Sequence, residues 1–404
     1  MFMNADLQSE MISQDRPIGQ KAIQIYLVTA LFFTTSHILL ILLPLNSHKL
    51  GASPLQIGLI MGAYMFTSMF LRPVAGKIVD KFGTKQIFIA ALILNVVVIS
   101  MYLIHELWVY ALLRIAQGVI LAFFSMVSHL MIIEALSEKA RGQGLALFSL
   151  SSMLPYTYGP FLALYYADKV PMSYIFMALI PISLTTLFFG MNIKQTDSRN
   201  TLNVSQAANH HRKGSYLGWK DKKLLLPSVT MLLASAIIGT VAAFLPLYLE
   251  SRDLPFAGFY FLTETAVLIT LRFFGRRMIP TNGRFPARVA AVLILLITVA
   301  VCLVRIAESL PVILLAAVCN GIALSMLYPT LLTYVSFIVP ERFRGRGIGL
   351  FIAAADFGTS VGIWGMSLIA SVYSYEVMLS GCMVIGVATL LFIVLLSNKQ
   401  GVEK

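Results

Sequence analysis

Hydrophobic positions in this 404-residue chain fall in long unbroken runs, with polar residues confined to the short stretches between them. A run of about 20 apolar residues matches one α-helical crossing of a bilayer. Runs that do not alternate exclude a transmembrane β-barrel. The pattern predicts twelve helices, near 22–45, 55–75, 86–104, 108–134, 144–167 and 172–193, then 224–249, 256–275, 287–305, 311–336, 347–371 and 377–397. Pro54, Pro255, Pro311 and Pro340 fall in or beside the connections, as chain-breaking residues should. The expected fold is an all-α integral membrane protein of two six-helix bundles, 22–193 and 224–397. A polar linker, 194–223, joins them, and 1–21 and 398–404 are tails.

Charge adds an orientation. Only 12% of residues are charged, against roughly a quarter in soluble domains, yet the net charge is +12. Of the 30 Lys and Arg, 23 lie on the segments that share a side with the N-terminus and 4 on the opposite loops. That asymmetry predicts both termini in the cytoplasm. It also accounts for the basicity, so nucleic acid is not an expected partner. The first apolar run lacks a cleavage site and reads as a retained helix. Cys302, Cys319 and Cys382 each sit inside an apolar run, so neither a disulfide framework nor a metal site is expected. Phosphate-binding, zinc-protease and nucleophile-elbow motifs are absent, which argues against an enzyme and against direct use of ATP. No cofactor is expected.

The chain also repeats itself. Residues 137–147, SEKARGQGLAL, match 340–350, PERFRGRGIGL, at one offset of 203 residues: Glu138 with Glu341, Arg141 with Arg344, Gly142 with Gly345, Gly144 with Gly347. Gln117-Gly118 and Asn320-Gly321 keep that offset. Such duplication predicts two related halves. Between the second and third helices, Gly76, Asp80, Lys81, Gly83 and Lys85 follow Arg72 with the spacing G-x-x-x-D-[RK]-x-G-x-[RK]. A second copy, 271–285, keeps Arg272 and Gly283 but has Pro280 in place of the acid. Read by itself, the first copy is a tight charged loop between spans.

This loop resembles the loop 2–3 signature of the major facilitator superfamily of secondary transporters. Arg114-Ile-Ala-Gln117-Gly118 resembles the R-x-x-Q-G motif of its proton-coupled exporters, and Gly159-Pro160 resembles the core of their helix-5 motif, with the flanking glycines replaced. The resemblance implies a twelve-helix fold with pseudo-two-fold symmetry and a central site at the membrane midplane. It further implies a cytoplasmic latch built from Arg72, Gly76, Asp80, Lys81, Gly83, Lys85, Glu138, Arg141, Glu341 and Arg344. Thr84 stands where the family usually has Arg, which leaves one latch charge out. Glu134 and Glu138 are candidate partners for Arg72, Lys81 or Lys85.

Polar residues inside apolar runs supply the candidate site. An intramembrane charge costs roughly 2.5–3.5 kcal/mol on insertion scales, so it should face the bundle interior. Arg114, Gln117, Leu121, Ser125 and Ser128 share one helical stripe, expected to line a wet cavity. A buried structural role is the alternative for Arg114. Ser149, Ser152, Tyr156 and Gly159 make a second interior face, and His37 lies with Thr29, Phe33 and Ser36. Glu264 and Asp356 are the intramembrane acids. A carboxyl in a low-dielectric bundle can take a proton from one side and release it to the other, can hold a substrate cation, or can pair with a base. The candidate substrate and proton residues are therefore Arg114, Gln117, Glu264, Asp356, His37 and Tyr156.

The expected function is proton-coupled efflux of a small organic molecule, a drug or a metabolite, by alternating access. A base in one half and acids in the other suit an endogenous zwitterion, such as an amino-acid-derived metallophore. Uptake of a sugar or organic acid, or a sensor that moves nothing, are the remaining readings. The expected partners are the substrate, protons and membrane lipid; the expected setting is a monomer in a bacterial inner membrane.

Overall fold

The computed structural model describes residues 18–167, 169–193, 222–274, 285–339 and 344–401. The described residues form twelve α-helices and no strand. The first six are α1 (Gln20–Lys49), α2 (Pro54–Phe82), α3 (Thr84–Met101), α4 (Leu107–Ala135), α5 (Glu138–Ala167) and α6 (Met172–Met191). The second six are α7 (Lys222–Glu250), α8 (Ala257–Phe274), α9 (Ala287–Ile306), α10 (Leu310–Ile338), α11 (Arg344–Val372) and α12 (Tyr375–Gly401). Among the described residues, ten of these helices are long and apolar enough to cross a membrane.

Local chemistry sets several helix starts. Before α2, Ser53 N–H donates to Gln56 Oε1 at 2.8 Å and Gln56 N–H donates to Ser53 Oγ at 3.3 Å. With Pro54 as first helical residue, this is a reciprocal capping box. Ser137 and Ser374 cap α5 and α12 by accepting from Ala140 N–H at 3.4 Å and Val377 N–H at 3.2 Å.

The structure corrects the expectation of a loop after Arg72. Pro54–Arg72 of α2 is long and apolar enough to cross a membrane. The helix itself runs on to Phe82, and Gly83 alone separates it from α3. Leaving hydrocarbon does not end a helix: charged side chains are solvated while the i→i−4 backbone bonds continue. The turn falls to Gly83, whose φ of 86° a residue with a Cβ adopts only at a cost. Likewise Glu138 and Arg344 open helices.

The chain divides into two compact units. One comprises Met1–Leu39, Phe70–Gly159 and Tyr166–Arg212; the other comprises Leu40–Met69, Pro160–Tyr165 and Lys213–Lys404. In the first, Phe124 of α4 stacks on Phe32 of α1 with centroids 3.7 Å apart and on Phe88 of α3 at 5.6 Å. In the second, α7 and α11 meet backbone to backbone. A Cβ on Gly358 would overlap the Leu232 carbonyl, one on Gly362 would overlap the Ala236 backbone, and one on Gly239 would lie 2.7 Å from Thr359 Cγ2. Small residues at this spacing let membrane helices approach closely, where dispersion drives association.

The sequence repeat has a matching structural repeat. Leu136, just past α4, tucks against Gly144 of α5, where a Cβ would overlap its Cδ1. Val339, just past α10, tucks against Gly347 of α11 in the same way. Both residue pairs keep the 203-residue offset.

Residues 40–69 group with the second unit because the start of α2 packs on the end of α11. Gly58 lies against Ser367, and Gly62 lies under the indole of Trp364. Phe66 meets the same indole with centroids 4.6 Å apart. Residues 160–165 group there because Gly258 of α8 rests on Phe161 and Leu164, 3.6 and 3.8 Å from where its Cβ would sit.

Candidate functional site

Arg114 is buried, with 1% of its surface exposed. Its Nη2 donates to the Leu39 carbonyl of α1 at 3.0 Å, and its Nη1 donates to Gln117 Oε1 at 3.2 Å. Gln117 Oε1 also accepts from the Tyr102 hydroxyl at 2.7 Å. The guanidinium thus ties α4 to α1, and the Gln117 amide holds it in place. Gln117, Leu121 and Ser128 are buried as well. This differs from the expected water-lined stripe: its upper part is an interface between helices. The side chain meets its cost of burial through charge-assisted bonds to a carbonyl and an amide. Tyr102 and the Leu39 carbonyl were not readable as partners, because neither shares a motif with Arg114.

The α1–α5 contact gathers the second face. The Thr34 and Tyr158 hydroxyls are 2.6 Å apart. His37 Nδ1 donates to the Phe33 carbonyl at 2.8 Å, since a carbonyl can only accept, and this leaves Nε2 as the lone-pair nitrogen. The His37 ring stands edge-on to Tyr156 at 5.2 Å, and a Cβ on Gly159 would lie 3.3 Å from His37 Cβ. His37, Tyr156 and Gly159 are therefore brought together.

In the second unit Glu264 is 1% exposed, and its Oε1 accepts a hydrogen bond from Asn320 Nδ2. The next residue, Gly321, lets α10 come close to α8: a Cβ there would sit 2.5 Å from the Glu264 carbonyl. The duplicated amide-glycine pair therefore does parallel work. Gln117 holds a base on its own helix, and Asn320 holds an acid on the neighbouring one. Asp356 of α11 is half-buried, with Ser360 Oγ donating to its carbonyl at 3.1 Å. Thr359 beside it packs on Gly239 of α7.

At the far end of α2, Lys81 lies over the Phe82 ring at 5.2 Å, and Lys85 is half-buried at the start of α3. Arg72 lies close enough to His129 of α4 for its charge to act on the imidazole. Lys21 of α1 lies close enough to Glu134 for its charge to act on that carboxyl. Glu341 lies outside the described residues, as do the surroundings of Gly76 and the side chains of Asp80, Glu138, Arg141 and Arg344. Among the described residues, no three His, Cys, Asp or Glu side chains gather to hold a metal.

Comparison with known proteins places this geometry. The model described as Major Facilitator Superfamily matches residues 25–362 and 280–403. A curated relative, the staphylopine export protein of Staphylococcus aureus, is 34% identical over 344 residues, covering 84% of this chain and 87% of its own. Among solved structures, a POT family transporter in complex with a thioalcohol-conjugated peptide superposes with a TM-score of 0.78 at 12% identity, over 96% of this chain and 99% of that one. The nucleoside transporter NupG gives 0.71 at 13%, over 92% and 99%. A D-xylose-proton symporter gives 0.72 at 15%, over 92% and 96%. At these identities the solved structures speak for the fold alone.

Proposed function

Because this chain belongs to the major facilitator superfamily of membrane transporters, we propose that it moves a small organic molecule out of the cell in exchange for protons. The observation that carries the coupling is Glu264: a carboxyl 1% exposed among apolar helices, held by the Asn320 amide. Protonation and release at such a group change the charge inside the bundle, which biases a two-state protein between its states. Asp356 is the second candidate carrier. A membrane potential supplies about 2.3 kcal/mol per charge per 100 mV, enough for roughly a fifty-fold gradient before any pH gradient is added.

Export is supported by the curated relative, whose name gives staphylopine as its cargo. Staphylopine is therefore the first candidate substrate, and the cargo class we favour is an endogenous zwitterionic metabolite, ahead of a lipophilic drug. The lysine and arginine asymmetry supports both termini in the cytoplasm of a bacterial inner membrane. On that orientation, the packed ends of α2 and α11 lie outside, and their contact is the outer gate of an alternating-access cycle. Arg114 serves this cycle by holding α1 to α4, as its bonds to Leu39 and Gln117 suggest.

The test is proton flux in proteoliposomes, with and without staphylopine. Substrate-driven proton movement that is lost in Glu264→Gln or Asp356→Asn is the expected result. Transport that neither moves protons nor responds to those variants removes the coupling. Depletion of the metabolite inside cells of a deletion strain, in place of accumulation, removes export.

A further inference from the structure

The internal repeat places an amide at the same register of α4 and α10, Gln117 and Asn320, each followed by a glycine. The two amides are put to opposite uses. Gln117 Oε1 accepts from Arg114 Nη1 at 3.2 Å and from the Tyr102 hydroxyl at 2.7 Å. Asn320 Nδ2 donates to Glu264 Oε1. Both members of this second pair are buried, Glu264 at 1% and Asn320 at 4% exposure. The turns on either side are apolar and buried too, with Phe261 and Leu268 on α8 and Ala316, Ala317 and Ala323 on α10. Gly321 sets the approach of the two helices. A Cβ on it would lie 2.5 Å from the Glu264 carbonyl and 3.0 Å from Val267 Cβ, so the reach between acid and amide is fixed by backbone contact.

The choice of an amide matters for an acid that changes its charge. A carboxylate only accepts, so it is the amide N–H that faces it. A carboxylic acid both accepts and donates. The same amide meets it through N–H to the carboxyl oxygen or, after half a turn of its end group, through its own oxygen to the carboxyl O–H. A lysine or arginine at this place would hold the anion and oppose proton binding. An apolar side chain would give neither form a partner from α10, at a cost that a low dielectric enlarges. Other ionisable side chains on the helices around the pair are Tyr260 and Arg272 of α8 and Cys319, Tyr328 and Tyr334 of α10. Arg272 stands eight residues, about 12 Å of helix, beyond Glu264. On α7, which also touches α8, they are Lys222, Lys223, Tyr248 and Glu250, all at the ends of the helix. The end of α5 that packs on α8 carries Tyr165. Resting on the proton-coupling reading of Glu264 above, we propose that Asn320 is the positioning residue for proton exchange there, bonding to the carboxyl in both of its charge states. The proton adds to a carboxylate oxygen and leaves from it; the amide gains and loses none, so Glu264 alone changes charge.

The first experiment needs no substrate. It is infrared difference spectroscopy of the purified full-length protein between alkaline and acidic buffer. The carboxyl band that disappears in Glu264→Gln belongs to protonated Glu264. Asn320→Leu, close to Asn in shape, should move that band to higher frequency, as for a carboxyl that has lost a hydrogen bond. The second experiment moves one methylene across the pair. Glu264→Asp shortens the acid, Asn320→Gln lengthens the amide, and the double variant restores the reach between α8 and α10. Each single variant should lose about tenfold or more of the proton movement driven by staphylopine in proteoliposomes, the effect of one charge-assisted bond. The double variant should recover most of it, and it carries the test should Asn320→Leu fail to fold. A band that Asn320→Leu leaves in place overturns the inference and spares the coupling, as does a double variant no better than its parents. A spectrum that loses no band in Glu264→Gln removes the coupling and the inference with it. A protein that moves no staphylopine retires that cargo, and the position of the band then decides.

Discussion

Gly62 offers the sharpest mechanical test. A Cβ placed on it would lie 2.5 and 2.8 Å from Trp364 Cδ1 and Cε2, with Nε1 closer still. Ordinary heavy-atom contact needs about 3.5–4.0 Å, so Gly62→Ala requires the indole to retreat by about 1 Å or more. The ring has little room to do so, because Phe66 holds it from the next turn at 4.6 Å. Forcing one carbon into a packed interface costs about 1–3 kcal/mol. At 1.4 kcal/mol per factor of ten, the α2–α11 contact should lose about 5- to 150-fold in population. States that interconvert in a working transporter differ by only a few kcal/mol, so this is enough to invert their order. Ser367, fully buried against Gly58, is the reporter. With Cys302, Cys319 and Cys382 replaced, a Ser367→Cys protein in intact cells should react slowly with an impermeant maleimide. Adding Gly62→Ala should speed labelling several-fold, and adding Trp364→Ala to that pair should slow it again by making room. Labelling that ignores Gly62→Ala, or that Trp364→Ala does not reverse, would refute the gate.

The α7–α11 seam predicts a contrast within one helix. Gly358→Ala and Gly362→Ala should each lower the melting temperature of the purified protein, while Gly365→Ala, with open space around it, should leave it unchanged; equal melting of all three would mean the backbone contact is not what holds the pair. Glu264→Gln keeps an oxygen for Asn320 to bond, so the protein should fold normally, exchange substrate across the membrane, and lose proton movement at least tenfold; intact proton movement assigns the coupling elsewhere. Arg114→Ala removes charge-assisted bonds worth about 1.5–3 kcal/mol each, and should reduce stability before it reduces substrate affinity. A loss of affinity at unchanged melting temperature would instead make Arg114 a substrate ligand.

Much of the fold was legible because a membrane helix announces itself by apolar length alone. The duplication was legible too, and even its structural content was latent in the sequence: Leu136 with Gly144 and Val339 with Gly347 stand at one offset. The glycine pairs 58/62 and 358/362 have the spacing of close helix contacts, a signal present in the sequence itself. What apolar length could not supply was rotation. A helix that is hydrophobic all round has no preferred inward face, so periodicity says which residues share a side without saying what that side meets.

The amino-acid sequence by itself therefore determined the number of helices, their order, the internal repeat and the charge asymmetry on which the proposed orientation rests. Each follows from local composition and from the cost of placing charge in hydrocarbon. Tertiary packing decided the rest. It turned the charged segment after Arg72 into helix, with Gly83 as its hinge, because a helix ends where its backbone bonds end and not where its apolar run does. It turned Arg114 towards Leu39 and Gln117, whose amide oxygen also accepts from Tyr102, and set His129 against Phe148. Those facings depend on which neighbours fill the remaining volume, a property of the packed helices together and of no single segment.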